Sequence, residues 1–259
     1  MDDKKFDLVI ILAIFTIASL LSLYFKFAPL IVGTLTLLLP SIYLLFRKKE
    51  NLKKIYVAVL VFGGLFGFFF DFIVTYNNGW YVSDLIVPIR LFGFLPVDDL
   101  LGFLLMTLFI IVFYEHFLND YSLKEVSPRI LYVIKPALVV IGLILILYFL
   151  YPSLLTIPYV YLVTGIVAIM KLIKVGMSKK KFIIKFVYLS IFFFFIWFAL
   201  ELICLQNGGW YFPGQYIGIV KVANLTFPIE EFVFWFMLYA ATIVAYYEYY
   251  EDGLVSAGR

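Results

Sequence analysis

The sequence predicts an all-α integral membrane protein, a bundle of about eight transmembrane helices arranged as two parallel four-helix repeats. Three observations carry this. Composition is 65% hydrophobic and 14% charged with a mean hydropathy of +1.06, more apolar surface than a soluble domain of 259 residues can bury. Apolar runs fall near 8–25, 28–46, 55–75, 97–117, 130–151, 153–173, 182–204 and 229–248, each close to the about 20 helical residues that cross a bilayer. Finally, a group of motifs in the first half recurs in the second.

The first run follows Met1-Asp-Asp-Lys-Lys5 and ends without a small-residue cleavage site, which predicts a retained helix rather than a signal peptide. Runs one and two, and runs five and six, are separated only by the breaks at Lys26 to Pro29 and Tyr151 to Ser153. Merging either pair would need one apolar helix of about 40 residues, too long for one crossing, so tight hairpins are expected. Lys4, Lys5, the Arg47 to Lys54 cluster, Lys124, Arg129 and the Lys171 to Lys185 cluster then fall on one side, with Lys26, Arg90 and Lys221 on the other. Cytoplasmic loops carry the excess of lysine and arginine, so both termini are expected in the cytoplasm of a multi-pass cell-membrane protein. The net charge of +3 orients helices and implies no nucleic-acid partner. The single cysteine, Cys204, excludes an intrachain disulfide and reads as a packing residue.

The repeats are expected over 1–121 and 122–259. Asp71-Phe-Ile-Val-Thr-Tyr-Asn-Asn-Gly-Trp-Tyr81 matches Glu201-Leu-Ile-Cys-Leu-Gln-Asn-Gly-Gly-Trp-Tyr211, with acid and tryptophan nine positions apart in both. Each is followed by a connection containing glycine, then Pro96 or Pro228, an acid pair, and a helix closing on Phe113-Tyr-Glu115 or Tyr246-Tyr-Glu248. An even number of helices per repeat makes the copies parallel, so equivalent motifs face one side of the membrane.

Acids inside membrane segments mark functional sites by default. Asp98, Asp99, Glu230 and Glu231 open helices just after a proline, where acids also suit the helix dipole. Adjacent helical residues point about 100° apart, so one of each pair faces the bundle interior; the sequence leaves open which. Asp71 and Glu201 end the third and seventh runs. Trp80, Tyr81, Trp210 and Tyr211 suit an interfacial aromatic belt or, with Phe232, Phe234 and Trp235, a pocket whose ring faces stabilise a cation. Asn77, Asn78, Gln206 and Asn207 read either as turn residues or as amides positioning a carboxyl proton. Glu115 and Glu248 are expected as solvated acids at cytoplasmic helix ends, and His116, without a second imidazole, is a poor metal ligand. Gly63-Gly64-Leu-Phe-Gly67 has no preceding strand and reads as close helix packing, not a nucleotide loop. No metal or cofactor is expected. What remains is acid–base chemistry on an apolar substrate, since a carboxyl group in an apolar pocket is kept protonated and able to donate.

At these residues the chain resembles the lycopene cyclase family found as two small membrane subunits in some bacteria, as a fused chain in archaea, and as the cyclase half of fungal bifunctional enzymes. The elements that carry the resemblance are Pro228-Ile-Glu-Glu-Phe-Val-Phe234 and the Gly-Trp-Tyr loops at 79–81 and 209–211. It implies cyclisation of the ψ ends of lycopene to β-ionone rings without net redox change, an isomerisation in carotenoid biosynthesis. Its implied partners are lycopene, the bilayer and other enzymes of the pathway. Carried onto this chain, it implies Glu230 or Glu231 as acid, Asp98 and Asp99 as the corresponding pair, Asp71 or Glu201 as base or orienter, and substrate contacts from Trp80, Tyr81, Trp210, Tyr211, Phe234, Trp235, Asn77 and Asn207. The first half departs from the pattern with Pro96-Val-Asp-Asp. A proton-coupled transporter and a sister carotenoid enzyme, a hydratase or a cyclase of C50 carotenoids, are the competing readings.

Overall fold

The computed structural model describes residues 3–47, 52–119, 125–178 and 180–251. Among them are eight helices long and apolar enough to cross a membrane: α1 Asp3–Phe25, α2 Pro29–Arg47, α3 Leu52–Tyr76, α4 Val97–Phe117, α5 Pro128–Leu150, α6 Val160–Ser178, α7 Phe182–Gln206 and α8 Glu231–Tyr250. The chain is therefore an all-α bundle with the architecture of a multi-pass membrane protein. The proposed boundary at 121/122, together with Lys48, Lys49, Lys124 and Lys179 of the basic clusters, lies outside the described residues.

Several expectations need correction. The sixth helix starts at Val160, and the break after α5 is a connection rather than a tight hairpin. Its 3₁₀ turn Pro152–Leu155 and Pro158, which disfavours helix at the residue before it, delay the start. The loops of 76–95 and 205–227 hold short antiparallel strands: β1 Tyr81–Val82, β2 Arg90–Leu91, β3 Leu95–Pro96, β4 Trp210–Tyr211, β5 Ile219–Val222 and β6 Leu225–Pro228. Pro96 and Pro228 end strands instead of lying in a helical first turn. Lys54, counted with the basic loops, is fully buried, its Nζ 3.7 Å from Glu115.

Equivalent motifs of the two halves meet each other. β1 pairs antiparallel with β4, Val82 opposite Trp210 and Tyr81 opposite its own counterpart Tyr211. At the other end of the bundle Tyr114 donates to Glu248 and Tyr247 to Glu115. Lys54 Nζ lies 5.0 Å from the Tyr247 ring and Lys185 Nζ 5.5 Å from that of Tyr114. Glu115 and Glu248, expected to be solvated, are buried for this reason. The asparagines cross over as well. Asn77 donates to Ile73 O (2.8 Å) and Leu155 O (3.0 Å) and accepts from Ile157 N (2.7 Å), fastening the α5–α6 connection. Asn207 donates to Ser22 O (3.1 Å) and Phe27 O (3.0 Å), fastening the α1–α2 connection. These are the contacts that a two-fold relation between the halves requires.

Among the described residues, three helices contain π-helical segments, at Thr34–Leu38, Val59–Leu65 and Glu231–Leu238. A π turn takes up one extra residue within a helix, and two of them answer a mismatch between the halves. Lys54 and Asp71 are 17 positions apart but Lys185 and Glu201 are 16; Asp99 and Glu115 are 16 apart but Glu231 and Glu248 are 17. In each case the longer half carries the π turn, so both ends keep their register.

Candidate active site

The acid pairs divide their work. Asp98 turns back to its loop and accepts from Ile86 N (2.6 Å) and Val87 N (2.9 Å); Glu230 accepts from Ile217 N (2.7 Å). These first acids hold the connections over the helix starts. The second acids, Asp99 and Glu231, point inward. Asp99 lies 3.3 Å from Trp80 Nε1, which also donates to Asp71 Oδ1 at 3.1 Å. Thr75 Oγ1 adds a 2.7 Å bond to the same Asp71 oxygen, and Asp71 Oδ2 is buried with no hydrogen-bond partner among the described residues. In the second half Trp210 Nε1 donates to Glu201 Oε1 at 2.9 Å, while Glu231 accepts from the hydroxyl of Tyr161. The nine-position spacing of acid and tryptophan thus serves one purpose in both halves: a tryptophan from the loop folds back and its indole N–H meets the carboxyl at the helix end.

Asp71, Asp99, Glu201 and Glu231 have no ion-pair partner among the described residues. Asp99, Glu201 and Glu231, with Asp98 at the edge where it meets its loop, line a single cavity of about 130 Å³ together with Tyr161 and all four tryptophans of the chain, Trp80, Trp197, Trp210 and Trp235. Helices α2, α4 and α7 supply most of its apolar wall, including Leu30, Gly33, Gly102, Leu105 and Cys204. Trp235 stacks on Tyr239 at 4.3 Å between ring centroids, and Trp80 meets Tyr161 edge to face at 5.5 Å. The pocket offers ring faces and carboxyl groups in an otherwise apolar wall. That combination can protonate a carbon–carbon double bond and shelter the cation it leaves.

Other expected substrate contacts sit elsewhere. Asn77 and Asn207 are taken up by the connections, as described above. Tyr81 and Tyr211 are exposed on the strand pair, 5.2 Å between ring centroids, with Arg90 stacked over Tyr81 at 4.6 Å. Phe234 packs against Gly165 of α6, away from the cavity. Sequence reasoning missed Trp197 and, in direct contact with Glu231, Tyr161. Tyr161 has no counterpart in the first half: aligning Ala28-Pro29 with Ile157-Pro158 places Val32 opposite it, so the repeat gave no signal. Above the site Tyr216 donates to Gly79 O (2.5 Å) and accepts from Gly214 N (2.9 Å); burial pushes its phenol up to about 12, so it remains a donor.

His116 contacts Asp7 at 2.9 Å, alongside Arg47 (2.8 Å) and Tyr43 (2.6 Å). No group of three or more histidine, cysteine, aspartate or glutamate side chains suited to a metal ion occurs among the described residues. Compared with known proteins, the chain matches no family model, no curated protein and no solved structure.

Proposed function

We propose that this protein is a carbocation cyclase of the lycopene β-cyclase type, closing the ψ ends of a linear carotenoid to β-ionone rings by proton transfer alone. The observation that supports it most is the set of four carboxyl groups without ion-pair partners among the described residues, Asp71, Glu201 and Glu231 buried and Asp99 half-buried, three of them facing one apolar, tryptophan-lined cavity. Glu231 is the proton donor in this reading. Its proton goes to the terminal double bond, the tertiary cation is attacked by the next double bond, and the ring closes. A ring proton then returns to the carboxylate, so atoms and electrons balance without an oxidant or a cofactor. The faces of Trp80, Trp210 and Trp235 stabilise the cation, an interaction of about 2 kcal/mol or more when desolvated. Asp99, with Asp71 behind the same indole, is the second carboxyl centre and Glu201 the neighbour that receives Trp210.

In this reading the protein lies in the cell membrane with both termini in the cytoplasm, which the distribution of lysine and arginine supports. Pigment analysis after expression in lycopene-accumulating cells tests the activity, with β-carotene as the expected product. Unchanged lycopene, from a protein shown to be folded and inserted, would reject it. Purified protein in lipid should act without added flavin or nicotinamide. Uptake of protons into vesicles without any change of pigment would favour the transporter instead.

A further inference from the structure

The scaffold repeats, but the cavity does not. Along the helices that follow each proline, Pro96 aligns with Pro228, Asp99 with Glu231, Gly102 with Phe234 and Phe103 with Trp235. Gly102 lines the cavity, and a Cβ built on it would meet nothing closer than Met106 Cε at 4.0 Å. Phe234, at the same position counted from its proline, packs instead into α6, where a Cβ on Gly165 would stand 2.4 Å from the Phe234 ring. The contact of α2 with α4 is therefore open at Gly33 and Gly102, whereas that of α6 with α8 is filled by Phe234 at Gly165. On the open side the rim residues Leu30, Gly33, Gly102, Leu105 and Met106 are half-buried, whereas Trp197, Leu200 and Cys204 deeper in the wall are buried. An opening between two membrane-crossing helices faces lipid.

The volume limits the occupant. A cavity of about 130 Å³ is close to the roughly 150 Å³ that takes benzene in an engineered protein core, so it holds one ring-sized group. We propose that the cavity is a one-sided site, reached from the bilayer between α2 and α4 across Gly102 and Gly33, that admits one end of a linear polyene at a time while Phe234 closes the equivalent route. This rests on the reading above for the identity of the occupant, and adds the route and the stoichiometry. The rest of the chain lies outward along the α2–α4 gap. A substrate with two reactive ends must withdraw and re-enter reversed.

Because all four tryptophans line the cavity, their fluorescence reports its occupancy without reference to catalysis. The experiment titrates cis-parinaric acid, a linear polyene that accepts energy from tryptophan, into the protein in nanodiscs. Saturable quenching is expected, with Gly102→Phe and Gly33→Phe each weakening it at least tenfold and Phe234→Gly leaving it unchanged. Circular dichroism identifies a variant that has not folded, and the other rim substitution then decides. Parent-like quenching in the folded rim variants, loss of quenching in a folded Phe234→Gly protein, or no saturable quenching in the parent would each overturn the proposal. Saturable quenching by a parent that leaves lycopene unchanged would remove the cyclase chemistry and keep the route.

Discussion

Glu230 and Glu231 are adjacent, yet one faces a loop and the other the cavity, so their amide variants should separate. Glu231→Gln should lower turnover by about 10²–10⁴-fold, the usual contribution of a general acid, with the protein still inserted. Glu230→Gln keeps an acceptor for Ile217 N but brings an amide N–H₂ to a buried position where Oε2 already lacks a partner. It should cost about 1–3 kcal/mol of stability and retain activity; pigment analysis and thermal unfolding of both variants check the pair. Equal losses of activity in the two would reject the division. Tyr161→Phe removes a hydrogen bond to a carboxylate, worth about 1.5–3 kcal/mol, and should lower kcat by roughly 10- to 100-fold with KM little changed. That acids, tryptophans and aromatic rings gather here was legible in the residue types and their repetition. Which acid turns inward was not, because backbone N–H groups 11 to 13 positions upstream decide it.

The eight apolar runs predicted eight helices because crossing length and hydropathy are local properties of the chain. The strands of 76–96 and 210–228 escaped for the opposite reason: each is two to four residues long and pairs with a partner chosen by tertiary structure. π turns leave no composition signal, but the unequal spacings of matched residues betray them once the halves are aligned. At this scale the π turn of α8 is testable. Deleting Val233 gives α8 the 16-position spacing of α4 and turns Glu231 by about 100° relative to Glu248. One of the two must then leave its partner, and cyclisation should fall more than in Glu230→Gln; full activity would show that the π turn does not aim Glu231. The asparagine clamps are the other test. Asn207→Ala leaves Ser22 O and Phe27 O without the side-chain donor and should cost about 1–3 kcal/mol, measured as loss of thermal stability with the product pattern unchanged.

Taken as a whole, one cavity serving two chain ends predicts a time course in which a monocyclic carotenoid rises and falls before the bicyclic product dominates. Bicyclic product with no free intermediate, followed by chromatography at early times, would point to two centres. Orientation is checked by labelling: Lys49→Cys should react only after the membrane is opened, and Gln215→Cys from outside. The strand pair at Tyr81 and Tyr211 bears on the history of the chain. A residue facing its own counterpart is the signature of a contact that two identical half-chains would make about a shared axis. In such a homodimer every substitution is made twice, so a phenylalanine that seals one gap seals the other and a glycine that opens one opens both. Joining the copies in a single polypeptide lifts that constraint. Position 102 and position 234 are then free to part company, as are Val32 and Tyr161, so that one side can hold an entrance and the other a wall.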